Sequence, residues 1–168
     1  THIVPRIFEI LDTKDNLSLI ILRMLSRVAE KLPSACDDII DRSIHFILSP
    51  SLNQQCAALD AIIAALPRIS DEEKLLPMVH QMWAPSMLIL QSAVESLNPA
   101  ARRCITIVKT VLVVARSFVR QRVSEKLPLY TSILSSALDK LDDNKYHENA
   151  LSMAIAVLEL YDASLTGE

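Results

Sequence analysis

One glycine, Gly167, occurs in the whole chain of 168 residues. That scarcity excludes several architectures at once. Phosphate-cradling loops and dinucleotide fingerprints need glycine where the backbone approaches a ligand or takes positive φ. A G-x-S-x-G nucleophile elbow is equally excluded. Tight β-hairpins usually turn on glycine or Asn-Gly, and no such dipeptide is present. Aromatic residues are also few, at 4%, which argues against a base-stacking platform for single strands. The three cysteines, Cys36, Cys56 and Cys104, are odd in number and lack C-x-x-C spacing. Neither a disulfide framework nor a zinc site follows from them, and their apolar neighbours read as core. A reducing compartment fits such usage. No apolar run reaches the roughly 18 residues that span a bilayer. The longest, Ile105 to Val119, is interrupted by Lys109 and Arg116. No signal peptide is visible. The first residue is Thr1 and the chain is apolar from Ile3 onward, the look of a fragment from something longer.

What remains is a helical chain, 51% hydrophobic. Leu17, Ile20, Ile21, Met24, Leu25, Val28 and Leu32 recur at helical spacing. Ala57, Ala58, Ala61, Ile62, Ala65 and Leu66 do the same. At an offset of 34 these segments correspond, Leu25 with Leu59, Val28 with Ile62 and Leu32 with Leu66, and both stop at proline, Pro33 and Pro67. A shared offset of that size marks a helical repeat. A second recurring feature is an apolar residue, proline and a further apolar run: Val4-Pro5, Leu76-Pro77 and Leu127-Pro128. It predicts a kinked first helix in each pair. Ser51-Leu52-Asn53-Gln54 and Ser70-Asp71-Glu72-Glu73 read as capping boxes, and Asn98-Pro99 as an N-cap followed by a first-turn proline. The predicted helices are Ile3–Leu11, Lys14–Lys31, Ala35–Leu48, Leu52–Leu66, a kinked Asp71–Ser96, Pro99–Arg116, a kinked Ser117–Leu138, and Lys145–Ala163.

The predicted fold class is all-α, an α-α superhelix of HEAT or armadillo type with about four antiparallel helix pairs. The later pairs run to a period near 40 to 50 residues, which suits HEAT or armadillo arrays better than tetratricopeptide repeats. Residues 1–168 are expected to form a single HEAT-like domain, part of a longer solenoid. Such repeats cover each other's apolar faces, which accounts for a mean hydropathy of +0.28 and predicts apolar surface at both ends.

Charge is unevenly placed. Between Arg102 and Lys126 lie seven bases and one acid, Glu125, so this stretch carries +6 and the rest −9 of a net −3. The residues Arg102, Arg103, Arg116, Arg120, Arg122 and Lys126 are candidates for a partner-binding surface, facing an acidic protein or a phosphate backbone. The alternative is a solvated helix face. His80 and Trp83, at i and i+3, share a helix face and are a candidate partner anchor; the neighbouring Met82 and Met87 favour packing instead. Ser70 before three acids fits either a helix cap or a site for an acidophilic kinase, and the cap explains the same residues. The four histidines His2, His45, His80 and His147 form no H-E-x-x-H pair. No catalytic, metal-binding or cofactor-binding residues are assigned, and no cofactor is expected.

The segment Leu75-Leu76-Pro77-Met78-Val79-His80-Gln81-Met82-Trp83-Ala84-Pro85 resembles an L-L-P-x-V-H-x-x-W-P pattern in the C-terminal HEAT repeats of the Tel-two-interacting protein one family. The Asn98–Arg116 helix and the stretch from Phe118-Val119-Arg120-Gln121-Arg122-Val123 to Leu127-Pro128 are similar to that family too. The similarity covers about Asp60 to Leu134. It departs at Ala84, where the family more often has proline directly after tryptophan. The resemblance implies a non-catalytic scaffold subunit of the TTT complex, an adaptor for the Hsp-ninety chaperone system. Its implied task is assembly and stability of phosphatidylinositol-kinase-like kinases such as mTOR and ATM. The implied partners are other TTT subunits, those kinases and chaperone machinery, with no small-molecule substrate and no membrane. The implied location is the cytoplasm, with the nucleus as a second site. The repeats alone also admit a nuclear-transport or chromosome-organising adaptor, and the basic stretch admits a nucleic-acid-binding solenoid.

Overall fold

The computed structural model describes residues 2–166, and among these every regular element is helical. The α-helices are α1 (Ile3–Thr13), α2 (Ser18–Lys31), α3 (Cys36–Ile44), α4 (Leu52–Ala65), α5 (Glu72–Ser92), α6 (Pro99–Val114), α7 (Arg116–Glu125), α8 (Leu127–Asp139) and α9 (His147–Leu165). Short 3₁₀ turns at Asp15–Leu17, Pro33–Ala35 and Leu66–Arg68 link some of them. The chain divides into two compact units, Thr1–Met82 and Trp83–Glu168.

Turning without glycine is visible in the backbone. No described residue has positive φ, so none of these helices ends in the left-handed cap that glycine usually supplies. Leu32, before Pro33, leaves the helical region at φ −130°, ψ 80°, as a residue preceding proline prefers. Leu66, before Pro67, stays helical and runs into a 3₁₀ turn that ends at the extended Ile69. Asn98 caps α6 as expected: its Oδ1 accepts from the Ala100 N–H at 2.8 Å, with Pro99 next.

Several predicted boundaries are corrected. Lys14–Lys31 is not one helix, because a 3₁₀ turn precedes α2. Ala35–Leu48 shortens to α3, and turns follow from His45. The kinked Ser117–Leu138 helix is two helices that part at Lys126, φ −99°, ψ 4°. The proline motif does not mark a repeated kink either. Pro5 is the third residue of α1 and Pro128 the second of α8, where a missing N–H leaves no carbonyl without its donor. Pro77 alone of the three lies past the first turn, inside the uninterrupted α5. The Ser70 cap is also corrected. Asp71 does the capping: its Oδ1 accepts from the Glu73 N–H at 3.0 Å and its carbonyl from the Leu75 N–H at 3.0 Å, while Ser70 is exposed. The Ser51 box is half formed. Ser51 Oγ accepts from the Gln54 N–H at 3.4 Å, whereas the Gln54 side chain reaches Ser49 and Ser18.

In the first unit α4 packs between α2 and α3, and α1 lies on α2. Gln54 Nε2 donates to Ser18 Oγ at 2.7 Å, joining the starts of α2 and α4, which therefore run parallel. Lys74 and Asp37 join the starts of α5 and α3 at 2.9 Å. These links are 36 and 37 residues apart in sequence, close to the offset of 34. Leu22, Leu25, Ile39, Ile40, Leu59, Ile62 and Leu66 are fully buried. Ile20, Met24 and Leu32, apolar in the same periodic pattern, are instead exposed. Arg42 fastens α3 to α1, 4.3 Å over the Phe8 ring and 3.5 Å from Asp12.

In the second unit α9 packs against both α6 and α8. Lys109 on α6 meets Glu159 on α9 at 3.1 Å, and the Thr131 and Tyr161 hydroxyls join α8 to α9 at 2.7 Å. Ser136 Oγ donates to the Val94 carbonyl at 2.9 Å, tying α8 to the segment after α5. Tyr130 is buried among these helices, and burial pushes its hydroxyl well above the usual phenol range. Cys36 and Cys104 are buried, Cys56 is half-buried, and none of the three is in a disulfide.

Candidate interaction surface

Helical periodicity distributes the basic stretch over several tasks. Arg102 and Arg103 occupy the first turn and a half of α6, Arg116 opens α7, and Arg120 and Arg122 follow on it. Lys126 lies in the break before α8. Arg116 is turned inward: its guanidinium donates to the carbonyls of Ala163 and Ser164 at the end of α9. Those carbonyls lie in the last turn of α9, at the negative end of the helix dipole, so a cation there closes the helix. Arg122 is also engaged. Its guanidinium carbon lies 4.8 Å over the Phe118 ring and 5.9 Å from the Trp83 ring centre, a stacked arrangement worth about 0.5–2 kcal/mol depending on desolvation. Arg103 Nη1 donates to the Pro99 carbonyl at 3.2 Å. Arg120 is exposed and Lys126 half-buried.

Trp83 is half-buried and packs through Arg122; His80 is exposed on the same helix. The structure therefore brings Trp83 and Arg122 together and separates Arg116 from them by giving it to α9.

What sequence reasoning overlooked is apolar. Leu151, Ile155 and Leu158 on α9 are 44%, 47% and 53% exposed, and Val113 on α6 is 64% exposed. The signal was present. On α9 these residues stand opposite the buried Met153, Val157 and Leu160, so the helix is apolar nearly all round, the pattern of a buried helix. Here one side is uncovered.

A furrow follows that side. Leu97–Arg103 faces Glu148–Met153 at one end, Lys109 meets Glu159 midway, and Arg116 reaches Ala163 at the other end. α6 and α9 are therefore parallel neighbours, about 50 residues apart in sequence at Lys109 and Glu159. The furrow holds three hollows, of about 550, 200 and 260 Å³. The first two share Ile155 and Glu159, the last two Arg102 and Ser152. Among the described residues no cluster of His, Cys, Asp and Glu has metal-site geometry, and no helix is long and apolar enough to cross a membrane.

These parallel stacked helices are the architecture of a helical repeat, and the family model for the TTI1 C-terminal TPR domain matches residues 26–162. The chain belongs to that family. No curated protein and no solved structure matches it. The family's description names TPR repeats, where the sequence pattern pointed to HEAT. The two units fit the two descriptions unequally: links 36–37 residues apart in the first are near the 34 of a tetratricopeptide repeat, and the spacing of 50 in the second is not. TTI1-like chains are helical scaffolds, and helical repeats of this kind act through protein–protein contact.

Proposed function

We propose that this chain is a non-catalytic segment of a TTT-type scaffold, a co-chaperone adaptor that helps phosphatidylinositol-kinase-like kinases reach and keep their assembled state. The observation that carries this is the family match across residues 26–162 on an all-helical repeat. An adaptor of this kind needs extended surfaces, and the exposed apolar side of α9 with its basic neighbour α6 supplies one. The partners under this reading are the other TTT subunits, the kinases and the Hsp-ninety machinery. The place of action is the cytoplasm and the nucleus. His80, Trp83 and the bases Arg102, Arg120 and Lys126 are the polar contacts such partners would meet first. Two other readings lose support. Arg116 and Arg122 are committed to partners within the chain, which weakens a phosphate-tracking role, and no active-site motif favours an enzyme.

The test is co-purification. The full-length parent of this chain, tagged and expressed in its own cells, should retain the other TTT subunits and at least one client kinase. Deletion of residues 26–162 should abolish or sharply reduce that retention. A parent that retains none of them refutes the assignment.

A further inference from the structure

The α6–α9 furrow is polar at one end and apolar at the other. At the N-terminal end sit Arg102 and Arg103, with Glu148 across from them. At the C-terminal end sit Val113, Ile155 and Leu158, all exposed, with the Asp162 carboxylate beside them. The charges between are already matched: Lys109 is paired with Glu159, and Arg116 is held by the α9 carbonyls. Arg103 is engaged with the Pro99 carbonyl. Arg102 differs. It lines both the second and third hollows, is half-buried, and its guanidinium has no hydrogen-bond partner among the described residues. A half-desolvated guanidinium with open donors fits a carboxylate, which it can take in a two-point fork.

We propose that this furrow is the docking groove for an amphipathic helix of a partner protein, acidic at one end and apolar at the other. A glutamate or aspartate at the acidic end pairs with Arg102. Leucine-like side chains further along cover Val113, Ile155 and Leu158. The spacing follows from α6 itself: Arg102 and Val113 are eleven residues apart, about 16 Å, or about three helical turns. A groove between two parallel helices accepts a third helix along its length. The acid belongs at the Arg102 end, where two guanidiniums, Arg102 and Arg103, stand against the single carboxylate of Glu148. This groove rests on the scaffold reading but assigns the surface and the kind of segment it takes.

The experiment uses two synthetic helical peptides of about 18 residues. Each carries leucines at two positions one turn apart, beginning eleven residues from a terminal pair of glutamates in one peptide or lysines in the other. Binding to the chain is followed by fluorescence anisotropy, and the contacted amides by NMR. The glutamate peptide should bind with shifts confined to α6 and α9, weaken as salt is raised, and bind at least tenfold tighter than the lysine peptide. Arg102→Glu should weaken it about tenfold or more, and Arg102→Lys should fall between, since lysine keeps the charge and loses the fork. Leu158→Glu, at a position already exposed, should weaken it without lowering the melting temperature. Arg27→Glu, an exposed position on α2, should leave it unchanged. The proposal is overturned if neither peptide binds, if both bind equally, or if Arg102→Glu and Leu158→Glu have no effect while the proteins stay folded. Its failure is separable from that of the scaffold reading: TTT subunits retained without peptide binding refute the groove alone, and peptide binding without TTT subunits refutes the scaffold assignment alone.

Discussion

Leu59→Ala tests the packing argument at its centre. Leu59 sits mid-way along α4, fully buried where α4 meets α2 and α3. The substitution removes three carbons, and at about 0.8 kcal/mol for each buried group the transfer loss is about 2.4 kcal/mol. The helices around it are themselves held by Leu22, Leu25 and Ile62, all fully buried, so the site collapses only in part. The cavity then raises the cost into the range of about 2.7–5 kcal/mol. With a urea slope of about 2–3 kcal/mol/M, the midpoint falls by about 1 M or more. The comparison is Ile20→Ala, on the outer side of α2 and 56% exposed, which should change stability by no more than about 0.5 kcal/mol. Urea unfolding followed by circular dichroism, with amide exchange in α2 and α4, reads both. Repeat units can unfold separately, and exchange assigns the loss to the first unit. If Leu59→Ala stays within 0.5 kcal/mol of the parent, or Ile20→Ala loses as much, the buried face of this repeat is misassigned.

The start of α5 gives a second comparison: Asp71→Ala should cost about 1 kcal/mol, as loss of a helix cap does, and Ser70→Ala should be near neutral by thermal melting; the reverse order would restore the serine cap. Asp41 gives a pH test. Partial burial first, then Asp38 and Asp37, raise its carboxyl above the ordinary value. A raised carboxyl binds its proton more tightly folded than unfolded, so the charged form costs stability at neutral pH and the cost vanishes as pH falls through the carboxylate range. Asp41→Asn should therefore raise the melting temperature slightly at pH 7, within the range of about 0.5 kcal/mol expected for an exposed position, and leave it unchanged near pH 3. An equal gain at both pH values would refute the electrostatic origin.

The helices were legible because their apolar residues recur at one period and the correspondence of Leu25 with Leu59 and Val28 with Ile62 has a physical cause: α2 and α4 lie side by side in the same direction, joined at Ser18 and Gln54. Their ends were less legible. Ser70 and Asp71 are both good caps, and the choice depends on how the chain enters α5, which brings Asp71 Oδ1 rather than Ser70 Oγ to a free N–H. The proline motif failed for a related reason. Val4-Pro5 and Leu127-Pro128 look like Leu76-Pro77 in sequence, yet in the first two the helix begins within two residues before the proline. Only Pro77 has a preceding cap far enough upstream to place it past the first turn.

The surface was legible only as composition. Seven bases in one stretch read as one patch, but a helical period sends neighbours to different sides, and the break at Lys126 adds another direction. Arg116 finds its acceptors 47 and 48 residues away, at the end of α9. No local pattern announces a partner at that distance. Arg102 lies along the furrow with Glu148 across from it, and among the described residues neither is in a salt bridge there. The scarcity of glycine matters here as well. No described residue takes positive φ, and α6 and α9 are clamped at Lys109–Glu159 and at Arg116 with the Ala163 carbonyl. A partner helix entering the furrow meets walls whose backbone is already ordered, so little conformational entropy is lost on this side of the contact. The same stiffness limits the partner, because walls that do not adjust select by the spacing between Arg102 and Val113 rather than by induced fit.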